Sequence, residues 1–188
     1  EFCAIGLVSQ KHTRRYMDLI SCRRLEYACG VSGCGKGSES GVQIEERTMA
    51  EGINFHYDVD GSDFTSAGKA SVQIKKSLQL LGIDAEIIRR VSIAMYEGEI
   101  NMVIHADGGT ADVTVYDDYI EIVLADTGPG IADVSLAMQA GYSTAPDNIR
   151  SLGFGAGMGL PNMQRYSDQM HIDTELGVGT TVRMRVNL

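Results

Sequence analysis

Glu97 and Asn101 stand four residues apart in AMYEGEINMVIHA, residues 94–106. On a helix this spacing puts a carboxylate and an amide on one face, and His105 continues the row. A carboxylate can take a proton from a hydroxyl or from water. An amide oxygen suits a hard cation that already holds other oxygens. A second stretch, ADTGPGI, places Asp126 directly after an apolar run, with Gly128 and Gly130 on either side of Pro129. The backbone there turns tightly and can come close to a ligand. A third, GFGAGMGL, carries Gly153, Gly155, Gly157 and Gly159, a spacing unsuited to a helix or strand interior. Its N–H groups can cradle phosphates, and it leads into a helix N-terminus that favours anions. Taken singly, each stretch also has a bland reading: a solvated helix edge, a strand-ending turn, a flexible linker.

A fourth stretch, GVSGCGKGSES (Gly30–Ser40), comes one residue type short of the phosphate-binding G-x-x-x-x-G-K-[ST] loop. Gly30, Gly35 and Lys36 fit, but Gly37 stands where a Ser or Thr hydroxyl should meet Mg²⁺. Such a loop needs a buried strand before it and an apolar helix after it. Charged CRRLEYAC precedes it and polar SESGVQIEERTMAEG follows, so the stretch is expected to be a decoy.

The elements that must position the first three stretches are legible from Ile53 onward. INFHYDV alternates as a half-buried strand. TSAGKASVQIKKSLQLLG sets Ala67, Ala70, Ile74, Leu78 and Leu81 at helical spacing, and Gly82 suits the C-terminal cap. Asp84 can cap a second helix that buries Ile87, Ile88, Val91, Ala94 and Met95 and runs to about His105. TADVTVY and YIEIVLA read as a hairpin across Asp117-Asp118. A short helix over 133–140 and a long loop to Gly157 follow. MGLPNMQRYSDQM then reads as a helix with Pro161 in its first turn, and MHIDTEL and TTVRMRVN as a last hairpin. The order β-α-α-β-β-α-α-β-β predicts an α+β protein: a two-layer sandwich of helices on a mixed, mostly antiparallel sheet, with a mobile glycine lid.

Charge narrows the function classes. Residues 1–48 carry seven Lys and Arg against six Asp and Glu, and the remainder nine against nineteen. A strongly acidic domain is a poor nucleic-acid binder, because phosphate contacts need clustered cations. It better suits a protein partner, or a ligand whose charge a metal ion offsets. No apolar run reaches the length of a membrane span, and the cysteines (Cys3, Cys22, Cys29, Cys34) lack paired metal-site spacing. Free thiols and a cytoplasmic location are the expectation. Met49 precedes the first legible strand, so residues 1–48 are expected to be a leader and 49–188 the domain.

In combination the motifs are far more specific than singly. Glu-x-x-x-Asn on a helix, Asp-x-Gly-x-Gly after a hairpin, the alternating glycines and Gly-x-Gly-Thr (Gly177–Thr180) resemble, over residues 53–188, the GHKL superfamily of gyrase, Hsp90, histidine kinases and MutL, with its Bergerat fold. Within it, EGEINMVIHA and AGYSTAPDNIRSLGFGAGMGL are similar to the helix and lid of the anti-sigma factor serine/threonine kinases.

This resemblance implies an ATP site and a residue role at each matching position. Asp126 would accept a hydrogen bond from the adenine amino group, Gly128 and Gly130 would pass close to the base, and Thr180 would support the same site. Asn101 would hold the Mg²⁺ that bridges the phosphates, and Glu97 would be the general base. Gly153, Gly155, Gly157 and Gly159 would form the lid and its phosphate contacts. The resemblance further implies a regulatory protein partner, a sigma factor or an anti-anti-sigma-like substrate, and homodimers are common among such proteins. Glu99 departs from the family pattern as a second carboxylate, expected on another face. Residues 1–48 match nothing in it.

Three activities compete. The first is a Mg-ATP-dependent serine/threonine kinase that regulates by binding and phosphorylation. The second is a non-kinase switch in which ATP orders the lid for a partner to read; such domains also accompany redox or hydrogenase genes. The third is a detached histidine-kinase catalytic domain, for which His12 lacks the expected acidic and Pro context.

Overall fold

The computed structural model describes residues 51–62, 67–151 and 153–188. The P-loop-like stretch, His12, the cysteines, the expected leader and Met49 lie outside these residues. Among the described residues five strands and five helices follow one another: β1 (Ile53–Asp60), α1 (Lys69–Leu80), α2 (Ala85–His105), β2 (Gly108–Val115), β3 (Tyr119–Asp126), α3 (Val134–Ala137), α4 (Asp147–Ser151), α5 (Gly159–Tyr166), β4 (Gln169–Glu175) and β5 (Gly179–Asn187). The strands form one sheet in the order β1-β2-β3-β5-β4. Each of its four pairings is antiparallel, so the mixed character expected of it narrows to a wholly antiparallel sheet. Every neighbouring pair is reached by a hairpin or by a return across one end, and none needs a parallel crossover.

One face of this sheet makes the core. Val113, Ile120, Ile122, Met184 and Val186 are buried against Ile74 and Leu78 of α1, Val91 and Met95 of α2, and Met163 of α5. The other face alternates to polar residues such as His56, Asp112 and Arg183, the pattern of a sheet covered on one side. The helix ends follow the expected chemistry. Asp84 accepts from the Glu86 N–H at 2.8 Å. At the end of α1 the N–H groups of Gly82 and Ile83 bond to the carbonyls of Gln79 and Leu78, with Gly82 at φ 73°, the left-handed terminator that a C-terminal glycine permits.

Glu99 settles into a structural role. Its side chain is 2% exposed, and its two oxygens accept from the N–H groups of Ala70 (2.9 Å) and Ser71 (2.7 Å). Gly68 at the N-cap of α1 has no side chain to do this. The carboxylate therefore satisfies donors that the first turn cannot pair within the helix, at the end where the helix dipole favours a negative charge. Glu99→Ala leaves two buried donors unpaired and a void, and is expected to cost about 3–5 kcal/mol. In a domain of this size that lowers Tm by about 10 °C, with Glu99→Gln losing less because it keeps one acceptor. A melting temperature unchanged in Glu99→Ala counts against the capping role.

Two expectations shift. The helix expected over MGLPNMQRYSDQM ends at Tyr166, because Ser167 is extended and Gln169 already pairs with Arg185 in the sheet. The helix expected over 133–140 shortens to Val134–Ala137, capped by the Asp133 carboxylate on the Leu136 N–H at 3.0 Å.

Candidate functional site

Asp126 is the last residue of β3, opposite Thr180 on β5, and Thr180 is opposite Thr174 on β4. Three strand ends in register thus bring the three side chains into one row. Asp126 Oδ1 accepts from the N–H groups of Gly128 (2.8 Å) and Thr180 (3.2 Å). These bonds fix the carboxylate through one oxygen and leave Oδ2 to accept from a ligand. Thr180 meets Asp126 through its backbone, while its hydroxyl lies 3.0 Å from that of Thr174. The Thr174 hydroxyl in turn accepts from the Ile131 N–H at 2.8 Å. It thereby ties the Asp-x-Gly-x-Gly loop to the final hairpin, and the Gly177 N–H to Pro129 carbonyl bond (2.9 Å) adds a second tie. An adenine presents a donor from its exocyclic nitrogen and a guanine an acceptor, so a carboxylate oxygen is complementary to the first.

A cavity of about 600 Å³ opens beside this carboxylate, lined by Asp126, Thr127, Gly128 and Pro129 on one side and by His105, Ala106 and Asp107 on another. Burial pushes the His105 imidazole below its ordinary value, against a smaller opposing pull from the Asp126 carboxylate. Burial thus favours the neutral form of His105. His105 sits one turn beyond Asn101 and two beyond Glu97 on α2, so the row spans about 12 Å from the cavity toward the contact between α2 and α5.

At that contact Asn101 and Glu97 meet α5. The Asn101 amide nitrogen donates to Met163 Sδ at 3.8 Å, which leaves the amide oxygen as the available acceptor. Gly159, the first residue of α5, lies so close that a Cβ there would stand 2.8 Å from the amide of Asn101. A side chain at this point would have to push the Asn101 amide aside. Glu97 Oε1 accepts from the Asn162 amide at 2.7 Å. Among the described residues no three His, Cys, Asp or Glu side chains come together as a metal cage. A cation held here would rest on the neutral Asn101 oxygen and take its remaining ligands from phosphate and water, which suits Mg²⁺.

The lid has more internal structure than a string of glycines suggests. Arg150 of α4 donates to the carbonyls of Ala145 (2.9 Å) and Ser143 (3.0 Å), gathering the segment around its guanidinium. Gly153 and Gly155 follow α4. The Gly141 N–H bonds to the Gly157 carbonyl at 2.9 Å, which closes the loop at a neck. Gly157 has φ 72°, and a Cβ on it would strike the Tyr142 carbonyl at 2.4 Å, so the neck is open only to glycine.

The candidate residues thus fall into three groups. Asp126, Gly128, Gly130 and Thr180 gather at the strand ends; Glu97, Asn101 and Gly159 gather at α5; Gly153, Gly155 and Gly157 lie in the lid. Sequence reasoning missed Thr174, Asn162 and Arg150. Thr174 has a signal in the hairpin register about the Gly177–Gly179 turn. Asn162 and Arg150 have none, since their partners are set by tertiary packing and loop closure.

With this geometry in view, comparison with known proteins is direct. The profile of the family described as histidine kinase-, DNA gyrase B-, and HSP90-like ATPase matches residues 86–188. An anti-sigma F factor of Caldanaerobacter subterraneus is 35% identical over 104 residues, covering 53% of this chain and 69% of that protein. One from Pasteuria penetrans is 29% identical over 133 residues, covering 65% of this chain and 85% of its own. The solved mycobacterial sensor histidine kinase MprB aligns at 15% identity with a TM-score of 0.43, over 72% of this chain and 97% of that one.

Proposed function

Since this chain belongs to the family of histidine kinase-, DNA gyrase B- and HSP90-like ATPases and so carries an ATP-binding domain, we propose that it is a Mg-ATP-dependent serine/threonine protein kinase of the anti-sigma type. It regulates a protein partner, a sigma factor or an anti-anti-sigma-like substrate, by binding and by phosphorylation. The observation that carries this reading is the pairing on α2 of a carboxylate, Glu97, with an amide, Asn101, one turn apart at the root of the lid. Similarity to anti-sigma F factors supports the choice of partner. The nucleotide-binding domain is assigned to residues 49–188, acting in the cytoplasm; among the described residues no helix is long and apolar enough to cross a membrane.

In this reading the residues divide the work by position. Asp126 Oδ2 accepts from the adenine amine, with Thr180 and Thr174 holding the loop that aims it. The lid, closed at the Gly141–Gly157 neck, lays its N–H groups along the phosphates. Asn101 would hold Mg²⁺, which would supply charge neutralisation at the phosphate oxygens. Glu97 takes the proton from a partner serine hydroxyl as that oxygen bonds to the γ-phosphorus and the bond to the β-phosphate oxygen breaks, releasing ADP.

The test is to incubate the protein with γ-labelled ATP, Mg²⁺ and candidate antagonist proteins, and to locate the label. Label on a partner serine or threonine is the expected result. Tight ATP binding with no label on any partner rejects the kinase in favour of an ATP-gated switch, and label on a histidine of the protein itself favours the histidine-kinase reading.

A further inference from the structure

We infer that Asn162 is the positioning residue for Glu97, an assignment that rests on the kinase reading above. The two side chains come from helices 65 residues apart in sequence and meet through a 2.7 Å hydrogen bond, Asn162 Nδ2 to Glu97 Oε1. Among the described residues this is the only hydrogen bond that the Glu97 carboxylate accepts. One oxygen is therefore fixed and the other is left for a substrate proton. An amide suits this task. It orients the carboxylate through a directional bond without setting a cation beside it, whereas a Lys or Arg would form an ion pair and oppose protonation of the base.

The placement of Asn162 gives the bond a second consequence. α5 begins immediately after the lid, and its residues meet both members of the α2 pair. Gly159 packs on the Asn101 amide, the Met163 sulfur accepts from that amide while itself 1% exposed, and Asn162 reaches Glu97. The root of the lid is thus the element that sets where the base stands. A glutamate has three side-chain torsions, and a displacement of about 1 Å in a reacting group can cost on the order of 100-fold in rate. Asn162 removes that freedom from the helix that follows the glycine loop.

The experiment uses the full chain and the acceptor protein that wild type phosphorylates. Asn162→Ala and Asn162→Leu are compared with wild type for kcat, for KM of ATP, and for affinity toward a fluorescent ATP analogue measured without acceptor. Leu keeps the volume and lacks the donor. Both variants are expected to lose about 10- to 100-fold in kcat, with KM and analogue affinity within about twofold of wild type. The thermal shifts of Asn162→Ala and Glu97→Ala are also expected to be non-additive in the double variant, as for residues in contact. Retention of kcat in Asn162→Leu overturns the inference, as does a loss that appears as raised KM and weakened analogue binding. Absence of transfer by wild type itself overturns the kinase reading, and is seen before any variant is made.

Discussion

Glu97→Gln is expected to lower phosphoryl transfer by about 10²- to 10⁴-fold, the range that a positioned general base contributes, while leaving nucleotide affinity and Tm near wild type. The substitution is close to isosteric. The Asn162 amide that now donates to Glu97 Oε1 at 2.7 Å can donate equally to the carbonyl oxygen of a glutamine, so the contact between α2 and α5 is kept. What goes is the capacity to accept a proton. The loss must therefore fall on kcat rather than on KM, the mark of an interaction used in the transition state alone. Single-turnover transfer with labelled ATP, read beside the affinity for a fluorescent ATP analogue, makes the separation. Transfer within threefold of wild type removes Glu97 from the base role, however well the variant binds ATP.

Asp126→Asn is expected to weaken ATP binding about 100-fold, roughly 2.7 kcal/mol, without unfolding the domain. The two backbone N–H groups that bond to Asp126 Oδ1 still need an acceptor, and the amide oxygen of asparagine supplies it. That requirement fixes the amide the other way round at the ligand, with NH₂ where Oδ2 stood. Donor then faces donor at the adenine amine, and an unpaired buried polar group carries its full desolvation cost. The same flip offers a donor to the guanine O6 acceptor, so preference for ATP over GTP should narrow. Competition of both nucleotides against the fluorescent analogue reads this directly. An Asp126→Asn protein that binds ATP within threefold of wild type refutes the assignment of the base to this carboxylate.

How much of this was legible beforehand depends on the range of the interaction. Local patterns were readable because their causes are local: the alternation of INFHYDV, Gly82 behind α1, and Asp84 ahead of α2 follow from neighbours a few residues away. The place of Asp126 at a strand end was readable because an apolar run leads into it and Gly128 and Gly130 follow it. Glu99 was not. Its i+2 offset from Glu97 told that it faces elsewhere, but its partners, the N–H groups of Ala70 and Ser71, lie 29 and 28 residues back. Asn162 sits in GLPNM with nothing to mark it, since its meaning comes from α5 crossing α2. The α4 helix of five residues is too short for any period to declare itself. Gly30–Ser40, where the sequence sets a near-complete motif between charged and polar flanks, lies outside the described residues.

The register that sets Asp126 opposite Thr180, and Thr180 opposite Thr174, would make a nucleotide held by Asp126 a proofreader of strand alignment. A slip of one residue in β5 turns Thr180 to the opposite face and presents Thr181 in its place. It also carries the N–H that steadies the Asp126 carboxylate away from it. Misregistered chains would then gain nothing from nucleotide, while correctly paired ones gain stability as RT ln(1 + [L]/Kd). Cellular ATP, present throughout synthesis of the chain, would draw the last hairpin toward the single alignment in which adenine has a partner.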